Sequence, residues 1–518
     1  MSWLGVKDPN TAGDILASGG IPVKAGAGGG KITSLRLEHV WVEAFVNMYP
    51  SFGAKNGPGN AWTPIDPSFK EHELNTSLDV SKIVKFDEAD YLQTQSKLPP
   101  SLAYLFSLED YHTANYQGGM HKMFYLKRIK EHEFGVLLGT LPYKTVVTGN
   151  KFTSIEPSLR HKITIGLHDP ATGESTAVTK DVCKLAGKQI TASYAPATDQ
   201  DNAVVTNYGG LLKTPAYLVK VKALVKVDNT IVLEGPSVGM GESLKLNVQF
   251  TTPGSFGDSI ETEMAAGIYY NIALSALNVA DKQALGGLDN SENLAGTFYE
   301  SINSGDDQVG KVLHNVGLQY FTHTNNGSRL LEGVMHIYNT RAVNAGFVFV
   351  SAKYSEFFGI TVSPPIISGL TIDIPRYIQS PFSITGDKEQ EKAFTKINGL
   401  NTSYFEHAIW ESFSGIDSVS TVKLLQLANE AGLSIYTITS ANIDTVLPLL
   451  DQGQQVKDNI RNLVATGKEV IIPSSYITRN EWTGTGYMVR KPETGEGAYM
   501  ISRGLAGGGT QCCQLIQH

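Results

Sequence analysis

The spacing of apolar residues changes several times along this chain, and these changes constrain its fold more than any single motif. Between residues 155 and 254, short segments of period two, such as AYLVKVKALVKVD, alternate with turn sequences such as DPATG and VDNT. Strands at this spacing predict an antiparallel β-sandwich over residues 151–255. The period then changes to that of a helix near residue 258, so the chain is expected to be a multidomain α+β protein.

Helical periodicity predicts a helical region over residues 256–345. The stretch IETEMAAGIYYNIALSALNVADKQAL is expected to form one helix, which Gly267 weakens. A second helix carries one apolar stripe at the spacing i, i+4, i+7 and i+11, made by Val309, Leu313, Val316 and Tyr320.

The last third, residues 346–518, predicts a C-terminal α/β domain that ends in a β-hairpin. One helix begins at a serine cap, Ser418 or Ser420, and ends at Gly432 before a strand. A second helix ends at Gly467, leads into another strand and carries a one-sided apolar face of Val456, Ile460, Leu463 and Val464. Two consecutive helix-to-strand units imply a small sheet covered by helices. The hairpin is expected to turn at KPETGEG.

The beginning of the chain, residues 1–90, reads as an α+β unit with a short helix in NTAGDILAS. In the strand-like run LRLEHVWVEAFV, residues 35–46, period two places His39 on the face opposite a row of apolar residues, so a histidine would project from an otherwise buried sheet. A polar and partly helical connector, residues 91–150, follows, and its Pro99-Pro100 pair is expected to stop the element before it.

Bulk composition narrows the classes of function. A chain of 518 residues and 56.0 kDa is long enough for three or four domains. Its net charge of −8 and pI near 5.9 argue against a nucleic-acid surface, which needs clustered Lys and Arg. A mean hydropathy of −0.11, with no apolar run of about 20 residues, predicts no membrane span. The expected partner is a protein substrate or protein ligand, and the oligomeric state stays open.

Targeting and cysteine usage leave alternatives open. The first residues lack a basic region followed by an apolar core, so no signal peptide is predicted. Either the chain stays in the cytoplasm, or an exported parent protein has lost its N-terminus. The three cysteines, Cys183, Cys512 and Cys513, cannot make a disulfide framework, and no Cys/His spacing predicts a zinc site. No metal or cofactor is therefore expected.

Two motifs resemble functional sites only in part. AGAGGGKIT, residues 25–33, fails as a phosphate-binding loop because Ile32 stands where a Ser or Thr must reach magnesium, and a glycine-rich hairpin turn explains the same residues. FEHAIWE places His407 between Glu406 and Glu411, which permits a metal or acid-base cluster but is more typical of a solvated helix start.

His39 and Asp66 form the candidate catalytic pair. A carboxylate beside an imidazole fixes the imidazole tautomer, so that the other ring nitrogen can activate a thiol. The 27-residue separation alone is weak evidence. However, LEHVWVEAFV followed by AWTPIDPSFK resembles the histidine and aspartate segments of the transglutaminase-like superfamily, in which a cysteine precedes both along the chain.

That resemblance implies a partial transglutaminase-like, or papain-like, α+β half-domain at the N-terminus. It makes His39 the base, Asp66 its orienting acid, and Trp41 and Trp62 packing neighbours. It also implies two strands that bring the imidazole nitrogen and the carboxylate oxygen about 2.6 to 3.2 Å apart. Later segments are similar to large bacterial transglutaminase-domain proteins, some of them linked to rearrangement-hotspot repeat proteins.

The chain departs from the superfamily because none of residues 1–38 is cysteine. Two hypotheses follow. The chain is a transglutaminase-like cysteine acyltransferase or protease that begins after its nucleophile and is inactive by that mechanism. Alternatively, it is a non-catalytic binding or scaffold module of a bacterial surface or secreted assembly.

Overall fold

The computed structural model combines helices with antiparallel sheets, as the α+β prediction requires. The residues that it describes are 3–6, 8–18, 21–47, 58–66, 71–75, 78–94, 97–131, 141, 143–185, 187–211, 214–251, 253, 258–267, 269–276, 306–341, 345–354, 367–373, 379–414, 417–479 and 482–502. None of the helices in these ranges is both long and apolar enough to span a membrane.

The N-terminal part contains small antiparallel ribbons and three helices. Its elements are α1 (Pro9–Ser18), β1 (Val23–Gly28), β2 (Lys31–Leu37), β3 (Val42–Val46), β4 (Ala61–Ile65), β5 (His72–Asn75), α2 (Glu88–Gln93), α3 (Pro100–Asn115) and β6 (Leu126–Ile129). Strands β1 and β2, β3 and β4, and β5 and β6 pair with each other as separate two-stranded sheets.

The glycine-rich loop is the turn of a hairpin. Gly29 and Gly30 join β1 to β2 with φ angles of 59° and 75°, in the left-handed region that glycine adopts at no steric cost. The hairpin interpretation of AGAGGGKIT is therefore confirmed.

The prediction of one strand over residues 35–46 is wrong. Strand β2 ends at Leu37 and β3 begins at Val42, because the chain leaves the β1–β2 ribbon and enters the β3–β4 ribbon between them. Val40 in this link is 84% exposed, so no continuous apolar face is buried here.

Two antiparallel sheets pack face to face around the largest core. The four-stranded sheet has the order β13-β12-β7-β8, and the six-stranded sheet has the order β11-β10-β9-β14-β16-β17. The elements in chain order are β7 (Lys162–His168), β8 (Ser175–Asp181), α4 (Val182–Leu185), β9 (Ile190–Pro196), α5 (Asp199–Tyr208), β10 (Lys220–Val227), β11 (Thr230–Gly239), β12 (Ser243–Thr251), β13 (Asp258–Ala265), β14 (Tyr269–Ala276), β16 (Ala345–Tyr354) and β17 (Ile367–Asp373). Alternate residues of β7, β9, β10, β12 and β14 point into the shared core, as period two predicts.

The sandwich extends beyond the predicted residues 151–255, and the helical region over 256–345 is wrong in its first part. Residues 258–265 and 269–276 form β13 and β14 instead of a helix, and Gly267, with φ of 98°, lies where the chain crosses from one sheet to the other. The boundary at 345 is also wrong, because β16 pairs with β14 and completes the same sheet.

A long helix, α6 (Asp306–Val334), contacts the six-stranded sheet through β9, β14 and β16. Leu313, Val316 and Tyr320 of the predicted stripe are fully buried, which confirms this second helix. The side chain of Val309 lies outside the described residues. The other end of α6 contacts α3 and α7 (Lys388–Ser414), and strands β15 (Ile337–Arg341) and β18 (Gln379–Ser383) pair beside them.

The predicted connector, residues 91–150, contributes to a core. Tyr104, Leu105 and Leu108 of α3 pack with Leu331 of α6 and Phe394 of α7. Val80 and α3 thus share one core with α6 and α7, which lie 200 or more positions later, so the boundaries predicted at 90 and 150 do not separate independent cores.

The C-terminal sheet has helices on both faces. Its elements are α8 (Thr421–Glu430), β19 (Ile435–Ile438), α9 (Ile443–Val446), α10 (Gln454–Ala465), β20 (Glu469–Pro473), β21 (Ile477–Arg479), β22 (Trp482–Arg490) and β23 (Gly497–Ser502). Val470 and Ile472 of β20 pack against α10, whereas Ile471 packs against α7 and α8. Burial on both faces explains the continuous apolar run in this strand.

Local signals in this region are confirmed. Ser420 caps α8 by accepting a hydrogen bond from the Lys423 amide, and Gly432 and Gly467 have φ of 70° and 82° after α8 and α10. The predicted apolar face of α10 is buried, and β22 and β23 form the hairpin at KPETGEG.

The α/β assignment is corrected because the strands of this sheet pair antiparallel. After β19 the chain returns to that strand's starting end, where Asp451 bridges Ser475. Helix α10 then carries the chain away again, so β20 starts at the far end and runs antiparallel to β19.

Limited proteolysis is expected to cut first between residues 144 and 160. This segment is exposed nearly throughout and has only one short 3-10 turn, Pro157–Leu159, so a protease can bind its extended backbone. Brief trypsin digestion followed by intact-mass analysis should give fragments ending at Lys144, Lys151 or Arg160. Early cleavage within β13, β14 or β16 would contradict the continuous six-stranded sheet.

Candidate functional site

The β3–β4 ribbon brings the two predicted site residues together at one end. Val42 pairs with Ile65, His39 lies three residues before β3, and Asp66 directly follows β4. His39 Nε2 lies 2.7 Å from Asp66 Oδ2, within the predicted 2.6 to 3.2 Å. The hydrogen bond is therefore confirmed, although both residues lie just outside the strands rather than on them.

The carboxylate of Asp66 is almost fully buried, with 1% of its side chain exposed, against 16% for His39. A buried carboxylate requires hydrogen-bond donors. The Tyr143 hydroxyl supplies one and donates to Asp66 Oδ2 over 2.9 Å. An imidazole with its proton on Nε2 donates to the same oxygen, so Asp66 holds His39 in that tautomer.

Tyr143 stays protonated at this site. Burial raises the pKa of its phenol, and the hydrogen bond to Asp66 and the charge of that carboxylate raise it further. The hydroxyl thus remains a donor throughout the physiological pH range.

Two aromatic rings contact the imidazole edge-on. The ring centroid of His39 lies 5.1 Å from that of Trp3 and 5.6 Å from that of Tyr143, with interplanar angles of 73° and 79°. The expected packing neighbour Trp62 instead contacts Phe45, its partner across the ribbon, at 5.4 Å.

Trp3 and Tyr143 carry no sequence signal that links them to His39. Trp3 lies 36 positions before the histidine, and Tyr143 lies 77 positions after Asp66. Both are single aromatic residues outside any periodic pattern, so only the tertiary structure identifies them as parts of the site.

The cysteines do not complete a triad at this ribbon in the residues that the structure describes. Cys183 is exposed on α4, in the segment that joins β8 to β9 of the sandwich. Cys512 and Cys513 lie outside the described residues. The catalytic roles proposed for His39 and Asp66 thus remain predictions.

His407 is not at a solvated helix start, which corrects that interpretation. It lies within α7 and is buried, and its Nδ1 is 2.9 Å from the hydroxyl of Ser420, the residue that caps α8. Burial lowers the pKa of His407 to about 4. The neighbouring Glu411 accepts a hydrogen bond from Lys423 of α8. His407 and Glu411 therefore both serve to join α7 to α8.

Within the described ranges, no group of three or more His, Cys, Asp or Glu side chains is placed to hold a metal ion. Comparison with known proteins gave no match to a family model, to a curated protein or to a solved structure.

Proposed function

We propose that this chain is a non-catalytic binding or scaffold protein in which the His39–Asp66–Tyr143 network holds the β3–β4 ribbon in place. The observation that carries the proposal is that one carboxylate oxygen of Asp66 joins His39 to Tyr143, while Trp3 packs on the same imidazole. A two-stranded ribbon is marginally stable alone, so contacts with distant segments supply the order that it needs.

The network connects three parts of the chain. Trp3 precedes α1, which belongs to a core with Val6 and Tyr125. Tyr143 begins the exposed segment that leads to the sandwich, and Lys151 of that segment forms a 2.6 Å ion pair with Glu43 of β3. These contacts favour a role in presenting the ribbon as a surface.

A second candidate function is cysteine-dependent acyl transfer or hydrolysis at protein glutamine or peptide bonds. The 2.7 Å hydrogen bond between His39 and Asp66 supports it, since that pair could orient an imidazole base. This chemistry also requires a thiolate next to the imidazole, which would have to come from Cys183, from Cys512 or Cys513, or from another polypeptide.

His39→Gln separates the two functions. A glutamine amide can still donate a hydrogen bond to Asp66 but cannot act as a base. The variant therefore keeps the structural role of holding the β3–β4 ribbon in place and loses any catalysis. We expect His39→Gln to keep slow amide hydrogen exchange in residues 42–46 and 61–65. His39→Ala should remove the hydrogen bond, speed this exchange and lower stability by about 1–3 kcal/mol, because it leaves a buried carboxylate with one donor fewer.

The same proteins are tested for incorporation of a labelled amine into a glutamine-bearing protein. We expect none from the wild-type chain. Robust incorporation that is lost in His39→Gln would overturn the proposal and establish the acyl-transfer function, and its loss in Cys183→Ser would identify Cys183 as the source of the thiol.

A further inference from the structure

Two side chains at β6 bind the backbone of the residues that follow Trp3. Tyr125 directly precedes β6 and Lys127 lies two positions later, a spacing that places two side chains on one side of an extended chain. The Tyr125 hydroxyl donates a hydrogen bond to the carbonyl of Gly5, and Lys127 Nζ donates one to the carbonyl of Leu4 over 2.8 Å. Two successive carbonyls of the N-terminal segment are therefore held at one strand.

The ammonium group of Lys127 is the charged donor at this contact. It lies 4.2 Å from the centre of the Tyr338 ring, within the range of a cation–π interaction. Burial lowers the pKa of Lys127 to about 8, against the opposing effect of the Glu332 charge, so the protonated form predominates at pH 7. A hydrogen bond from a charged donor is about twice as strong as one between neutral groups. We therefore expect Lys127 to contribute more than Tyr125 to holding the segment.

Gly5 is the point about which the residues before it can turn. Val6 is 2% exposed and packs in one core with α1, so the backbone is fixed from this residue onward. Gly5 has a φ of 74°, and without a Cβ it reaches other backbone conformations at little steric cost. Leu4 is only partly buried against the same core. The position of Trp3 therefore depends on the hydrogen bond that Leu4 accepts from Lys127.

We propose that Lys127 is a positioning residue that keeps Trp3 packed against His39. The inference rests on the proposed function, because it extends the network around His39 to a side chain that acts through Trp3. The two ring centroids are 5.1 Å apart, and the His39 side chain is 16% exposed with Trp3 in place. Without the charged donor, residues 3–4 turn about Gly5, Trp3 leaves the imidazole, and the exposure of His39 rises.

The test is the rate at which diethyl pyrocarbonate, a small reagent that acylates imidazole nitrogen, modifies His39 in the full chain at pH 7. Peptide mass analysis gives this rate for each histidine, and the exposed His121 is the internal standard. Lys127→Met keeps an apolar stem but removes the donor. It should raise the His39 rate about tenfold, as expected for the loss of a hydrogen bond from a charged group. Lys127→Arg keeps a charged donor and should react like the wild-type chain.

A double-mutant comparison shows whether Lys127 acts through Trp3. Trp3→Ala gives the labelling rate of His39 without the indole ring, and adding Lys127→Met to it should produce no further increase. Lys130→Met is the matched control. Lys130 is exposed just after β6 and pairs with Glu71 at 3.6 Å, so this variant should label His39 at the wild-type rate.

Three results would overturn the positioning role: a wild-type rate in Lys127→Met, a raised rate in Lys127→Arg, or independent increases from Trp3→Ala and Lys127→Met. None of them bears on the proposed function, which is tested by amide exchange of residues 42–46 and 61–65 in His39→Ala. Unchanged exchange in His39→Ala would overturn the proposed function and leave a measured effect of Lys127→Met on His39 labelling as it stands.

Discussion

Acidification from pH 7 to pH 4 is expected to destabilise this protein through its buried histidines. Burial lowers the pKa of both His314 on α6 and His407 on α7 to about 4, from an ordinary value near 6.5. Burial also lowers the pKa of His336. The low-dielectric interior penalises the charged imidazolium, so the native state holds these rings neutral.

The sign follows from proton binding. Between about pH 6.5 and pH 4 the unfolded chain binds protons at His314 and His407 that the native state does not, so stability falls as the pH falls. Lowering the pKa from 6.5 to about 4 corresponds to about 3 kcal/mol of folding stability for each histidine, at 1.36 kcal/mol per pKa unit. Above about pH 6.5 both contributions are fully present.

His314→Met tests this prediction, because it removes one titrating group and keeps an apolar side chain of similar size. The midpoint of the first unfolding transition should fall less between pH 7 and pH 5 in His314→Met than in the wild-type chain. His121→Met is the matched control for the substitution itself, since His121 is exposed. An unaltered pH dependence in His314→Met would contradict the assignment.

Arg490→Met is expected to cost about 3–5 kcal/mol of stability, because it removes one partner of a buried ion pair. Arg490 on β22 is buried and donates two hydrogen bonds, of 2.9 and 2.6 Å, to the Glu88 carboxylate at the start of α2. A second carboxylate oxygen, Glu469 Oε1, lies 3.8 Å from Nη1 of the Arg490 guanidinium. Without the arginine, two partly buried carboxylates lose their shared cation.

A double-mutant cycle separates the ion pair from simple loss of packing. Glu88→Gln in the Arg490→Met background should recover part of the lost stability, since the carboxylate charge is then absent. The matched control is Arg461→Met, which removes an exposed ion pair with Asp458 and should change stability by less than about 1 kcal/mol. Equal effects of Arg490→Met and Arg461→Met on denaturant midpoints would argue against a structural role for the buried pair.

The Arg490–Glu88 pair also shows why the predicted domain boundaries were wrong. Boundaries were placed where periodicity changed, yet Glu88 and Arg490 are 402 positions apart and in direct contact. Sequence patterns report on neighbours within a few residues. They carry no information on which distant elements share a core.

The wrong prediction of a helix for residues now placed in β13 and β14 has the same cause. The alanine, leucine and methionine residues of this stretch favour a helix by intrinsic propensity. In the folded chain β14 lies between β9 and β16 and is buried on both faces, so pairing and burial override that propensity.

Features fixed by local chemistry could be predicted from the sequence. Among these are the Gly29-Gly30 turn, the Ser420 cap, the helix ends before Gly432 and Gly467, and the buried face of α10, each of which depends on residues within one or two helical turns or one hairpin. The closeness of His39 and Asp66 came from resemblance to a known motif. Tertiary structure alone decided that Trp3 and Tyr143 enclose this pair, that β13, β14, β16 and β17 complete the two sheets, and that Phe45 and Trp62 face outward, because each depends on contacts between residues that no local pattern connects.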